Sequence, residues 1–148
     1  MAAGERLETG IHMKLRTTKS RSAVMARILS RNTKPELAVR RELWRLGVRY
    51  RIHDARVPGR PDLVHGPSRI AVFIDGCFWH GCRKHYAAPR NNAAYWRAKV
   101  SYNRNRRRNV LRALRQRGWS PMRFWECEIE GGVAKVAAQI AQTIERRN

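Results

Sequence analysis

Two carboxylates and a histidine stand out for their type and spacing. Asp62 follows the turn Pro58-Gly59-Arg60-Pro61 and precedes the short apolar pair Leu63-Val64, and Asp75 ends the apolar run Ile70-Ala71-Val72-Phe73-Ile74. His80 comes five residues after Asp75, behind Gly76, Cys77, Phe78 and Trp79. Continuous apolar runs bounded by turns read as buried strands, which puts one acid at the end of each. Aspartate also caps turns, and either acid alone would be read that way. Two of them on adjacent buried strands, with an imidazole close behind, make a candidate metal-dependent hydrolytic centre.

The elements that must position these groups can be read in order. Thr33-Lys34-Pro35-Glu36 has the pattern of a capping box, with Thr33 as N-cap, a proline in the first turn and Glu36 at N3. The helix it starts is expected to run to Leu46 and stop at Gly47, burying Val39, Leu43 and Leu46. Glu36 falls on that same face, so it can serve both as a cap and as a carboxylate aimed at the centre. Val48, Tyr50 and Ile52 alternate with Arg49, Arg51 and His53 as a half-exposed strand. The strands ending at Asp62–Val64 and Asp75 follow. A long helix from about Asn92 to Arg117 would bury Trp96, Val100, Val110, Leu111 and Leu114, with Asn103 and Arg107 inside the stripe and in need of polar partners. Trp119 to Glu126 reads as a last strand and Gly132 as the approximate start of a last helix. The fold class is therefore α/β, a central mixed β-sheet flanked by helices in one domain.

Composition points to the partner. The 148-residue chain has 32 Lys and Arg against 11 Asp and Glu, a formal charge of +21. Such an excess suits a polyanion, and nucleic acid is the first candidate. Arg97, Arg104, Arg106, Arg108, Arg112 and Arg115 crowd the open face of the long helix and read as phosphate contacts. No apolar stretch approaches the ~20 residues of a spanning helix, and the first twenty residues lack the apolar core of a signal peptide. Three cysteines argue against a disulfide framework and for a reducing, cytoplasmic setting. Residues 1–20 are polar and aperiodic and are expected to form a flexible arm ahead of a domain spanning 21–148. Arg16 to Arg31, with Met25, Ile28 and Leu29, is expected as a short helix lying on the partner. Cys82-Arg83-Lys84-His85 is a short Cys-x-x-His, and Cys127 with either His53 or Asp54 could complete a four-ligand zinc site. Cys77 has no partner in that scheme and is read as a packing residue.

A Pro-Asp on one strand and an acid ending the next resembles the PD-(D/E)xK nuclease core, although no basic residue occupies Val72 to Asp75. The finer pattern is more specific. Thr33-Lys34-Pro35-Glu36, Pro58-Gly59-Arg60-Pro61-Asp62, Asp75-Gly76-Cys77-Phe78-Trp79-His80-Gly81-Cys82, Tyr95-Trp96 and Trp125-Glu126-Cys127 closely resemble the Vsr family, the very-short-patch mismatch repair endonucleases of bacteria. The resemblance spans roughly Ser20 to Glu130 and implies a restriction-endonuclease-like core. It further implies Mg²⁺-dependent nicking of double-stranded DNA 5′ of the thymine in a T:G mismatch left by deamination of 5-methylcytosine. By position it implies catalytic roles for Asp62, His80 and Glu36, and Mg²⁺ on Asp62 with the Ile74 carbonyl. Asp75 stands where the well-studied branch has a histidine and is expected as a further catalytic residue that either binds Mg²⁺ directly or orients the site. Arg107 stands where many relatives carry aspartate. Met25, Phe78, Trp79 and Trp96 are implied as wedges beside the mismatch, with Lys99, Asn103, Arg104 and Arg108 as further DNA contacts. The family's structural Zn²⁺ implies Asp54, Cys82, His85 and Cys127 as ligands. A monomer acting on T:G-mismatched duplex, with MutL-type repair proteins as possible partners, completes the expectation.

Overall fold

The computed structural model describes residues 31–148. The expected N-terminal arm, the short helix around Met25 and the wedge role of Met25 itself lie outside the described residues. Helix α1 (Lys34–Arg45) leads to strand β1 (Arg51–Ile52), then β2 (Leu63–His65) and β3 (Ile70–Asp75). A single turn, α2 (Cys77–His80), and the long helix α3 (Ala93–Gln116) connect β3 to β4 (Ser120–Trp125). Helix α4 (Glu126–Arg147) closes the order.

The sheet runs β1-β2-β3-β4. The first two pairings are antiparallel, and β3 pairs in parallel with β4 across the α2–α3 crossover. Period-2 alternation divides the core into two layers. Leu63, Ile70 and Val72 face α1 and α4, meeting Val39, Leu43, Val136, Ala137 and Ile140. Val64, Ala71 and Phe73 face the other way, onto Leu114 with Val110 and Leu111 of α3. Both faces of β3 are covered, which is why its sequence is a continuous apolar run rather than an alternating one.

Local chemistry explains the element ends. The Thr33 hydroxyl accepts from the Glu36 backbone N–H at 3.4 Å. The reciprocal half of the expected box is displaced by one residue, because the Glu36 carboxylate accepts from the N–H of Asn32 instead. Gly59 adopts φ +79° against α3, where a Cβ would collide with the Val110 side chain. The Pro-Gly-Arg-Pro loop therefore lies flat on that helix and delivers Asp62 to the sheet end.

Three expectations need correction. Leu46 is exposed rather than buried, because α1 ends just short of it. Ile52 is exposed too, so only Val48 and Tyr50 of the expected alternation pack on the core. The last helix begins at Glu126, with its helical geometry interrupted at Gly132. The glycine pair 131–132 reads as a helix start in sequence, but here it marks a kink inside a helix whose first turn carries Cys127.

Candidate active site and metal-binding clusters

The antiparallel register of β2 with β3 brings both acids to one end of the sheet. The Ile74 backbone N–H donates to Asp62 Oδ2 at 2.6 Å, which leaves Oδ1 turned away from the strand. Glu36, on the buried face of α1, and His53, just past β1, converge on that oxygen. Ligand atoms of Glu36, His53 and Asp62 lie within 4.8 Å of one another. His53 Nε2 stands 3.3 Å from Glu36 Oε2 and 3.9 Å from Asp62 Oδ1. Arg40 donates to Glu36 Oε2 at 3.1 Å from behind. Burial, joined by the neighbouring Glu36 charge, pushes the Asp62 carboxyl up to about 7. Asp62 Oδ1, held out of water beside a second carboxylate, faces only the His53 imidazole among the described residues, and a divalent cation between the two acids would relieve that directly. The residues therefore fit a cation.

Asp75 does not join this cluster, contrary to its expected role as a metal ligand. Its carboxylate is 1% exposed and is held by Arg107 Nη2 at 2.6 Å on Oδ1 and by Arg123 Nε on Oδ2. Both oxygens are thus spent on guanidinium groups. Asp75 and Arg107, the two positions where the resemblance leads one to expect other residues, are one ion pair. A buried acid needs such a partner, and Arg107 supplies it. Asn103, the other polar residue in the stripe, donates its amide to the Trp79 carbonyl at 2.8 Å, so that part of its side chain positions the tryptophan.

His80 sits on α2 with Nε2 3.6 Å from Asp75 Oδ1. Its Nδ1 is buried without a partner among the described residues. Burial lowers its pKa, against the raising effect of Asp75 and with help from Arg107, Arg123 and Arg106. The ring is accordingly neutral at pH 7 and able to accept a proton.

Phe78, Trp79 and Trp96 form one cluster, with Phe78 5.2 Å from each tryptophan between ring centroids and the tryptophans 6.0 Å apart. All three are only partly buried, so they are not core residues. Lys99, near the Tyr102 ring, lies on the same helix one turn along from Trp96.

The second cluster differs from the expected one in one ligand. Cys77, Cys82, His85 and Cys127 bring their sulfur and nitrogen atoms within 4.8 Å of one another. Asp54 is elsewhere, bound by Arg56 and Arg51, and the hydrogen bonds from Arg56 hold its carboxyl at about 2. Cys77, read as packing, takes the fourth position because α2 turns its side chain toward the first turn of α4. All three cysteines are free thiols. Cys82 Sγ lies 3.8 Å from Cys127 Sγ and 3.9 Å from His85 Nδ1. A tetrahedron with Zn–S bonds of about 2.3 Å has edges of about 3.8 Å, so the donor set fits zinc. The His85 contact lowers Cys82 to about 6, and burial raises Cys77 to about 12, an unfavourable place for a thiol unless a cation takes its proton's position.

Sequence reasoning placed His53 among the zinc candidates and missed Arg123 altogether. The spacing Cys77-x4-Cys82-x2-His85 was the available signal for Cys77. For Arg123 the signal was the parallel register that sets it beside Phe73, two residues from Asp75.

A mixed sheet flanked by helices, with acids and a histidine gathered at one sheet end, has the architecture of a restriction-endonuclease-like core. The fold is similar to the catalytic domain of homing endonuclease I-Bth0305I, with a TM-score of 0.53 and 18% identity over 78% of this chain and 97% of that one. The profile of the family described as DNA mismatch endonuclease Vsr matches residues 13–86. The chain is 40% identical over 111 residues to the type II nicking enzyme V.XorIIP of Xanthomonas oryzae pv. oryzae, covering 74% of this chain and 81% of the relative. It is 36% identical over 138 residues to V.HpaIIP of Haemophilus parainfluenzae, covering 90% and 96%. To the DNA mismatch endonuclease Vsr of Escherichia coli it is 34% identical over 113 residues, covering 76% and 72%. The chain belongs to the Vsr family and is a DNA endonuclease. No helix among the described residues is long and apolar enough to cross a membrane.

Proposed function

We propose that this endonuclease nicks one strand of double-stranded DNA 5′ of the thymine in a T:G mismatch, using Mg²⁺ at the Asp62 cluster. The observation that carries the reading is the convergence of Glu36, His53 and Asp62 at the sheet end from which β3 leads into α2 and His80. Asp62 and Glu36 would hold the cation with His53 as a third donor, and bound there it would supply charge neutralisation at the scissile phosphate. The Ile74 amide fixes the rotamer of Asp62. This amide contact stands beside the carbonyl role expected of Ile74, which uses a different atom. His80, neutral and partly buried, takes the proton of the attacking water. Asp75 then stabilises the imidazolium from 3.6 Å. The Cys77, Cys82, His85 and Cys127 set would hold Zn²⁺ and tie α2 to α4, fixing the turn on which His80 rides.

Mismatch selectivity rests on the Phe78, Trp79 and Trp96 cluster. Prising a base step open costs a few kcal/mol, and less where pairing is already poor. Partly buried rings braced against one another can enter such a step without being reordered first. The test compares two duplexes with identical flanks, one carrying T:G and one C:G, in Mg²⁺. Nicking 5′ of the thymine in the first alone is expected. Equal nicking of both would remove the mismatch reading and leave an endonuclease of other specificity.

A further inference from the structure

A cleft of about 320 Å³ opens on the α3 side of the sheet, walled by Arg83, Arg104, Arg107, Arg108 and Arg123, with Trp125 at its edge. The guanidinium groups come from three separate elements: the loop after α2, one face of α3 and strand β4. Among the described residues, the ion pairs of these five arginines lead to a single carboxylate, Asp75. Cations crowded in a concavity repel one another, whereas a merely solvated face would spread them.

Three of the five are held in place, Arg104 by neutral carbonyls and Arg107 and Arg123 by Asp75 together with an aromatic ring each. Arg104 donates to the carbonyls of His80 at 3.1 Å and Gly81 at 2.5 Å. That approach needs a glycine, since a Cβ at position 81, where φ is +66°, would come 2.7 Å from Arg104 Nη2. Arg107 lies 4.0 Å over the Phe73 ring, and Arg123 4.4 Å over Trp125. The charges are thus fixed before any anion arrives. Planar forks held in this way match the oxygens of a phosphate, and fixing them beforehand reduces the ordering cost of binding.

We infer that this cleft seats one backbone phosphate of the DNA duplex, a site separate from the Asp62 cation cluster and from the aromatic wedge. The inference rests on the reading that the chain acts on duplex DNA. Through Arg107 and Arg123 the seat shares its walls with Asp75, so the phosphate also sets the register of the strand relative to His80.

The test uses Arg83→Ala/Arg108→Ala, whose side chains are exposed and make no hydrogen bond among the described residues, so that folding is preserved. Binding of a fully paired duplex is followed against salt without added Mg²⁺. The log–log slope should flatten by about 0.9 for each phosphate that is no longer neutralised, while Arg41→Ala on α1 leaves it unchanged. Duplexes with a single neutral methylphosphonate, moved along the strand, should contain one position that reproduces the flattening and adds nothing to the double variant. In a second arm, pyrophosphate at matched ionic strength should raise the melting temperature of the wild type but not of the double variant. A wild type that binds duplex with the same slope as the variant, or methylphosphonate effects that are additive at every position, would overturn the seat alone. A pyrophosphate effect confined to the wild type, with no change in slope, would reassign the cleft to a free anion. A wild type that binds no duplex would overturn the DNA reading and the seat with it.

Discussion

The two ligand clusters of this endonuclease lie within one small fold and are built on opposite principles. The cysteine cluster is soft and closed: four donors from α2, the loop after it and α4 converge with nothing left over. The carboxylate cluster is hard and open: two acids and one imidazole leave most of a cation's coordination sphere for water and phosphate. The first would hold elements together, and the second would leave room for a substrate oxygen. Burial, by contrast, acts alike on both. Around Cys77 it disfavours the thiolate until a cation arrives, and around Asp62 it disfavours the carboxylate that must receive one.

The contrast is broken most severely at Asp62. Asp62→Asn keeps the shape and removes the charge, and nicking of a T:G duplex should fall by roughly 10³-fold, as when a preorganised electrostatic group is lost. Duplex binding should hold and the melting temperature should hold or rise, because a carboxyl raised to about 7 by burial costs stability in its charged form at pH 8. Kinetics and a melt on the same preparation decide it. Collapse of the fold in this variant would make Asp62 structural.

Cys77→Ser acts on the other cluster. One zinc per chain should be lost or weakened, with a drop in melting temperature on the order of 10 °C for a chain of this size, whereas Asp54→Ala should keep its zinc. Metal analysis of both variants separates the observed donor set from the expected one. Zinc retained by the serine variant and lost by the alanine variant would reverse the assignment.

Between the clusters lies the Asp75–Arg107 pair. Arg107→Ala leaves a buried carboxylate short of a partner and should cost about 3 kcal/mol by denaturant unfolding. Adding Asp75→Ala to it should cost less than the sum of the two single changes. Strict additivity would mean that the pair is not coupled.

The smallest effect belongs to the rim. Trp79→Ala should reduce the preference for T:G over paired DNA by about tenfold, the equivalent of ~1.4 kcal/mol of stacking. Rates on the two duplexes measure it. A large fall in stability with the preference intact would return Trp79 to a packing role.

Much of this was legible in the sequence because it is local. The cap at Thr33, the buried run of β3, the long α3 and the need of Asn103 and Arg107 for partners all follow from short-range pattern. What was not legible is long-range. Asp54 and Cys77 are both near the cysteine motif in chain order or by resemblance, and only the turn of α2 against α4 decides between them. Cys127 sits on that first helical turn, which the glycine pair at 131–132 disguised. Asp75 reads as a free acid at a strand end until the parallel register brings Arg123 alongside and α3 lays Arg107 across it.

The central claim is that Asp62 receives a divalent cation in competition with a proton. It is tested most directly by titrating Mn²⁺, as a spectroscopic stand-in for Mg²⁺, into zinc-loaded protein across pH. With the Asp62 carboxyl at about 7 in the cation-free protein, the bound form needs the proton removed. Affinity should therefore fall about tenfold per unit as pH drops below 7, with one proton released per cation, and Asp62→Asn should abolish the binding. Affinity that stays flat between about pH 5.5 and 7.5, or that survives in Asp62→Asn, would contradict the claim.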